Sequence, residues 1–291
     1  MLSVVVDPVR LSAGIVDADG ETLVRDRIST PSREVWRVLE QLVRRVLAAA
    51  PDEIERPGVV GVSCTTPLDL TAGSVSPHLI GAWTAFPLRE YLEDLTGLPV
   101  VLDTAANALA AGERWVGDAM HVDSFLTLVV DVTVESSVTV GGVRLRGAQG
   151  NAGSLAHVTV EPGGPPCWCG ALGCLTAMVS ATDLEREMNR PLRRATDTII
   201  DRTGIMIGRA IATSMAIVDV STVFITGSVV DTFGDPLLEA VHREVMLRSR
   251  LTNLGGFSLV ELSGPVQPLV AAAALTVPDR LAPTAGRVTT R

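Results

Sequence analysis

Lysine is absent from all 291 residues, so the 24 basic positions are all arginine. We read the bias first as genome composition. It still removes a side-chain amine from every catalytic scheme, whether as base, Schiff-base former or phosphate anchor. Basic charge is also in the minority, with 33 acidic residues, a net charge of -9 and a pI near 5.0. That balance is a poor match for a nucleic-acid backbone. No segment has the uninterrupted apolar length of a membrane span, and the most apolar helix candidate is broken by Arg209. The opening "MLSVVVDPVR" has neither a basic region nor a usable apolar stretch, so no export signal is expected. Only four cysteines occur and three are clustered, which points to a reducing cytoplasm rather than a disulfide scaffold. What is abundant is apolar residue, 47% against 20% charged, enough for a folded chain of two ordinary domains or one large one.

The runs "LSVVV", "SAGIV" and "ETLVRDRI" predict a strand meander. Val35, Leu39, Leu42 and Val46 then recur at helical spacing within 31–50, with Thr30 and Ser32 as cap candidates. A buried-type strand "VVGVS", a helix "PLREYLEDL", a strand "LPVVLD" and a helix over 105–116 follow. After Trp115 the pattern restarts. A second meander ("FLTLVVDV", "SSVTV", "GVRLR") leads into a loop over 147–174, then helices over 175–189 and 195–218. The strand "STVFIT", helix "PLLEAVHREVMLR", strand "FSLVEL" and helix "PLVAAAALT" close the chain. The order of elements occurs once in each half, which predicts α/β layers duplicated at the level of fold.

"HVTVEPGGPPCWCGALGC" holds three cysteines and a histidine in the pattern H-x9-C-x-C-x4-C. Three thiolates and one imidazole are the donor set of a closed tetrahedral zinc site, with His157, Cys167, Cys169 and Cys174 as ligands. Gly163, Gly164, Gly170 and Gly173 give the backbone room to fold around one ion. Cys167 and Cys169 are too close in sequence to pair easily with each other. Cys64, beside an apolar run, reads as core.

The longer stretch "GAQGNAGSLAHVTVEPGGPPCWCGALGCLTAMVS" resembles the signature of the ROK family of repressors, unannotated reading frames and sugar kinases. "LDTAANALAAGERWVGD" is similar to that family's active-site helix, and "GRAIATSMAIVDVSTVFITGSVV" to its adenosine-contact region. The resemblance implies an actin-like ATPase (duplicated RNase H-like) fold, two α/β domains around a cleft. We expect one domain over 1–114 rejoined by 264–291 and the other, with the zinc loop, over 115–263. It also implies a homodimer and a carbohydrate-like ligand in the cleft.

Set against the family's kinases, the chemistry is missing. Their Asn-Asp pair, whose Asp is the general base, falls on Thr104 and Ala105 when the helix is aligned on Asn107. Asp103 stands two residues early and would need a register shift to substitute. The sugar-binding glutamates fall on Ser154 and Thr176, and an asparagine before "GAW" falls on His78. His157 is kept. The first phosphate loop reads "DPVRL" where glycines are expected, and the second reads "DVTVESSVTV", with Asp131 and Glu135 at glycine positions. Only Thr226, Gly227 and Ser228 keep a trace of the third. These losses imply a non-catalytic zinc protein, with Mg-ATP binding not expected. The alternatives are an active sugar kinase with a remodelled site using Asp103, and a family-type regulator. No basic recognition helix precedes the first meander, so direct DNA binding is not expected. A thiol redox role is a minor option.

Overall fold

The computed structural model describes residues 1–51, 53–248 and 257–279. In chain order its elements are β1 (Leu2–Val6), β2 (Arg10–Val16), β3 (Thr22–Ser29), α1 (Val35–Ala48), β4 (Val60–Cys64), β5 (Leu68–Asp69), β6 (Ser74–Val75), α2 (Leu88–Thr96), β7 (Val100–Thr104) and α3 (Ala105–Val116). There follow β8 (Phe125–Val130), β9 (Val134–Val140), β10 (Val143–Arg144), α4 (Leu175–Val179), α5 (Ala181–Met188), a 3-10 turn at Leu192–Arg194 and α6 (Asp197–Val218). The last are β11 (Thr222–Thr226), α7 (Ser228–Arg248), β12 (Ser258–Glu261) and α8 (Pro268–Ala274). None of the described helices is long and apolar enough to cross a membrane.

The chain divides into two units. The first comprises residues 1–123, 141–152 and the described residues from Pro265 on. Its sheet has the order β3-β2-β1-β4-β7, with β1 antiparallel to β2 and parallel to β4. Alternation along β1 sorts its side chains to two faces. Leu2, Val4 and Val6 join a core with α1 and α2, while Val5 packs with Leu269 and Ala272 of α8. Both faces are covered, which is why every residue of β1 and β4 is buried, Ser3 and Ser63 included. Cys64 ends β4, fully buried in that core.

The second unit comprises residues 124–140 and the described residues of 153–264. Its own strands run β9-β8-β11-β12, with β8 antiparallel to β9 and parallel to β11. This is the first unit's order without the outermost strand. Leu126, Leu128 and Val130 of β8 and Val223 and Ile225 of β11 pack against α4, α5, α6 and α7.

The structure corrects several boundaries. Residues 115–123 and 141–152, expected in the second domain, belong to the first unit. The reason is polar: the Arg144 guanidinium donates to Asn107 O (3.3 Å) and pairs with Asp279 (2.9 Å), and the Asn151 side chain brackets both backbone groups of Leu68. The expected segment 264–291 runs past residue 279, and 280–291 lie outside the described residues. Neither Thr30 nor Ser32 caps α1. Its first-turn neighbour is Glu34 in a left-handed conformation, and the Thr30 hydroxyl instead donates to Asp7 O (2.6 Å). The helix expected over 175–189 is two helices, because Ser180 leaves helical geometry and caps α5, accepting from the Asp183 N–H (3.2 Å). The helix expected from Pro236 begins at Ser228, with a kink at Gly234.

Candidate functional site

The second unit brings the four sequence-predicted metal ligands together. One donor atom each from His157, Cys167, Cys169 and Cys174 lies within 4.8 Å of the others. The Cys169 and Cys174 sulfurs are 3.7 Å apart, and the Cys167 sulfur is 3.5 Å from His157 Nδ1. A tetrahedral zinc ion with ordinary bond lengths sets ~3.8 Å between two sulfurs and ~3.6 Å between sulfur and nitrogen. The donor set and its spacing fit zinc, which these four residues would hold as a closed structural ion.

The loop achieves this with short backbone ties. Cys167 N–H donates to Ala171 O (2.8 Å) and Gly170 N–H returns to Cys167 O (2.9 Å), forming a tight knuckle. Gly173 has φ +67°, and a Cβ there would lie 1.7 Å from Glu161 O, so no other residue fits. Leu175 and Thr176 donate their N–H groups to Val158 O and Ala156 O, on either side of His157. Arg209 of α6 closes the loop from outside, donating to Val160 O (2.9 Å) and to Glu161. In sequence Arg209 stood out only as a charge in an apolar helix, and its partners are too distant along the chain for any local pattern to show them.

Without metal the thiols differ. Burial raises the Cys174 thiol to about 12 and raises Cys167, whereas the backbone N–H of Ala171 lowers Cys169. A bound cation would reverse the first two by deprotonating its ligands. The His157 ring stands edge-on to Trp168, with centroids 4.7 Å apart.

In the first unit, β7 runs into α3 through Asp103, Thr104 and Ala105. Thr104 caps the helix, its hydroxyl accepting the Asn107 N–H (3.0 Å). Asp103 is 1% exposed. Its Oδ1 accepts the Thr104 N–H (2.8 Å) and the Asn107 amide (2.6 Å), and its Oδ2 accepts Arg146 Nε (3.1 Å). Both oxygens are thus committed to the chain itself. Sequence reasoning had not singled out Arg146. His78 lies exposed on the connection between β6 and α2 of the same unit, while Ser154, His157 and Thr176 belong to the second unit.

The loops expected to face phosphates are closed by carboxylates. Asp7 Oδ1 accepts the N–H groups of Val9 (2.8 Å) and Arg10 (3.2 Å), while Pro8 has none to offer. In the second unit, Asp131 Oδ1 accepts the Val132 N–H (2.8 Å) and the Ser228 hydroxyl (2.6 Å). Thr226 donates to Leu262 O (3.3 Å), and Gly227 has φ +117° with no room for a Cβ against Val130 O. Glu135 corrects an expectation. It is not in the β8–β9 turn but in β9, buried and opposite Val129.

Against known families, residues 9–253 match the ROK family model. The chain belongs to the ROK family. It is 32% identical over 194 residues to a glucokinase of Thermotoga maritima, covering 65% of this chain and 60% of that protein. Over 243 residues it is 26% identical to an N-acetylmannosamine kinase of Escherichia fergusonii, covering 78% of this chain and 82% of that one. The crystal structure of a ROK hexokinase from Thermus thermophilus superposes with a TM-score of 0.80 at 28% identity, over 94% of this chain and 97% of that chain. A ROK family transcriptional regulator superposes at 0.81 with 19% identity, covering 94% of this chain and 78% of that one, which is a likeness of fold. The ROK chain described here therefore has the actin-like ATPase fold, built from the two related α/β units above. It is sugar-kinase-like.

Proposed function

We propose that this chain is a zinc-holding ROK protein without phosphotransfer activity, acting as a sensor, regulator or scaffold. The observation that carries the proposal is that donors in the presumptive phosphate loops are already satisfied by carboxylates of the chain. Asp7 takes two backbone N–H groups, and Asp131 takes the Ser228 hydroxyl and a third N–H. A nucleotide would have to break these bonds and bring its own negative charge beside two aspartates. At the base position Ala105 offers a methyl group, which accepts no proton. Titration calorimetry with Mg-ATP and Mg-ADP tests this directly: no binding heat is expected at millimolar nucleotide, and saturable binding defeats the proposal.

A second reading is an active ATP-dependent hexose kinase with a remodelled site. The similarity to glucokinases and N-acetylmannosamine kinases favours it, as does the carboxylate of Asp103 just before α3. Against it, Asp103 is buried with both oxygens engaged. Zinc, a homodimeric state, a carbohydrate-like ligand and the absence of DNA binding by the chain itself belong to the same proposal. Elemental analysis of protein purified without chelator should find about one zinc per chain.

A further inference from the structure

We propose that Cys169 is an oxidation site, at which a hydroperoxide closes a disulfide to Cys174 and expels the metal. The inference rests on the zinc proposal above and concerns what the same sulfurs do when oxidant is present. The cluster is asymmetric in access: Cys169 is exposed, while Cys167 and Cys174 are 7% and 0% exposed. Peroxide therefore reaches Cys169 first. The Cys174 sulfur stands 3.7 Å from it; the Cys167 sulfur is also within 4.8 Å, but it is set against His157 Nδ1 and lies only two residues away in sequence, where a disulfide does not form easily. Moving from 3.7 Å to the ~2.05 Å of a disulfide is within the reach of side-chain rotation and a small backbone shift. The intervening residues include Gly170 and Gly173, both at positive φ and both at turns of the loop.

The chemistry balances with peroxide as the only oxidant. The Cys169 sulfur attacks one peroxide oxygen, the O–O bond breaks, and the other oxygen leaves as water after protonation. The sulfenic acid formed is attacked by the Cys174 sulfur, so that an S–S bond forms, the S–O bond breaks and the second oxygen leaves as water. Two thiolates lose two electrons, and peroxide with two protons from solvent becomes two waters. Cys167 and His157 alone do not make a closed four-ligand site, so the metal is released.

The experiment treats the zinc-loaded full chain with hydrogen peroxide, follows released zinc with a chromogenic chelator, and maps the disulfide by mass spectrometry. Cleavage at arginine leaves all three loop cysteines in one peptide between Arg146 and Arg186, so chymotrypsin is used as well. Cutting after Trp168 and Leu172 puts each cysteine in its own fragment. Expected are zinc release in step with a Cys169–Cys174 link, reversal by dithiothreitol with added zinc, and the same course in Cys64→Ser. Zinc release with no disulfide, or with a link through Cys167, overturns the proposal. So does retention of zinc and reduced thiols where free cysteine is oxidised. Protein that carries no zinc before oxidant is added defeats both this inference and the metal proposal, and is recognised at that earlier step.

Discussion

Asp103, two residues before the expected base position Ala105, is bound to a structural task. Its carboxylate organises the first turn of α3 and holds Arg146, and therefore the segment 141–152, against the first unit. Asp103→Ala leaves a buried backbone N–H, an amide and a guanidinium nitrogen without their acceptor, and should cost about 2–3 kcal/mol. Thermal or urea denaturation measures it, and a cost below about 0.5 kcal/mol would show that the contacts are incidental. Cys169→Ser acts differently, removing one of four ligands. It should lose the metal and lower the melting temperature, because site formation is coupled to folding. Elemental analysis beside a melting curve tests both, and a variant that keeps stoichiometric zinc would contradict the ligand assignment. On the proposal above, Ala105→Asp supplies a carboxylate at the expected base position but leaves Asp7 and Asp131 in place, so a kinase assay with millimolar Mg-ATP should show no turnover.

Among the elements, α4 is a short strut. It is flanked by Cys174 and Ser180, after which the Ala181 N–H donates to Asp131 O (2.8 Å) and the Thr182 hydroxyl to Val132 O (3.3 Å). The metal loop is thereby tied to the β8–β9 turn within one unit. Removing zinc by chelation should speed hydrogen exchange at 131–133 and 181–182 while leaving β1 and β4 unchanged. Equal protection with and without metal would break the link. A second pair of elements carries a pH signature. Glu187 of α5 and Arg202 of α6 make two 2.6 Å hydrogen bonds, and the guanidinium lowers the Glu187 pKa. A depressed carboxylate adds stability above its unfolded pKa near 4.3, and loses it as pH falls through the lower folded value. Both groups are partly exposed, so Glu187→Gln should cost only about 0.5 kcal/mol at neutral pH, with the difference fading as pH falls through the lowered folded value. A constant difference across that range would contradict the pairing.

At the scale of the molecule, the duplicated order of strands and helices was legible because burial on both sheet faces writes apolar runs such as "VVGVS", and amphipathic helices write their own period. The Cys3His cluster was legible because its four donors share one short loop. What stayed hidden is long-range polar pairing. Arg146 with Asp103, Arg209 with Glu161 and Ser228 with Asp131 join residues 43, 48 and 97 positions apart, and composition carries no trace of them. Two of those hidden bonds bear on the two readings of function, since Arg146 engages Asp103 and Ser228 engages Asp131 from within. The most direct test is a kinase assay on the zinc-loaded wild type over common hexoses and their N-acetylamino derivatives, with millimolar Mg-ATP. No turnover above the protein-free blank is predicted. Turnover that disappears in Asp103→Asn, with the variant still folded and zinc-bound, would contradict the proposal and make this chain a working kinase.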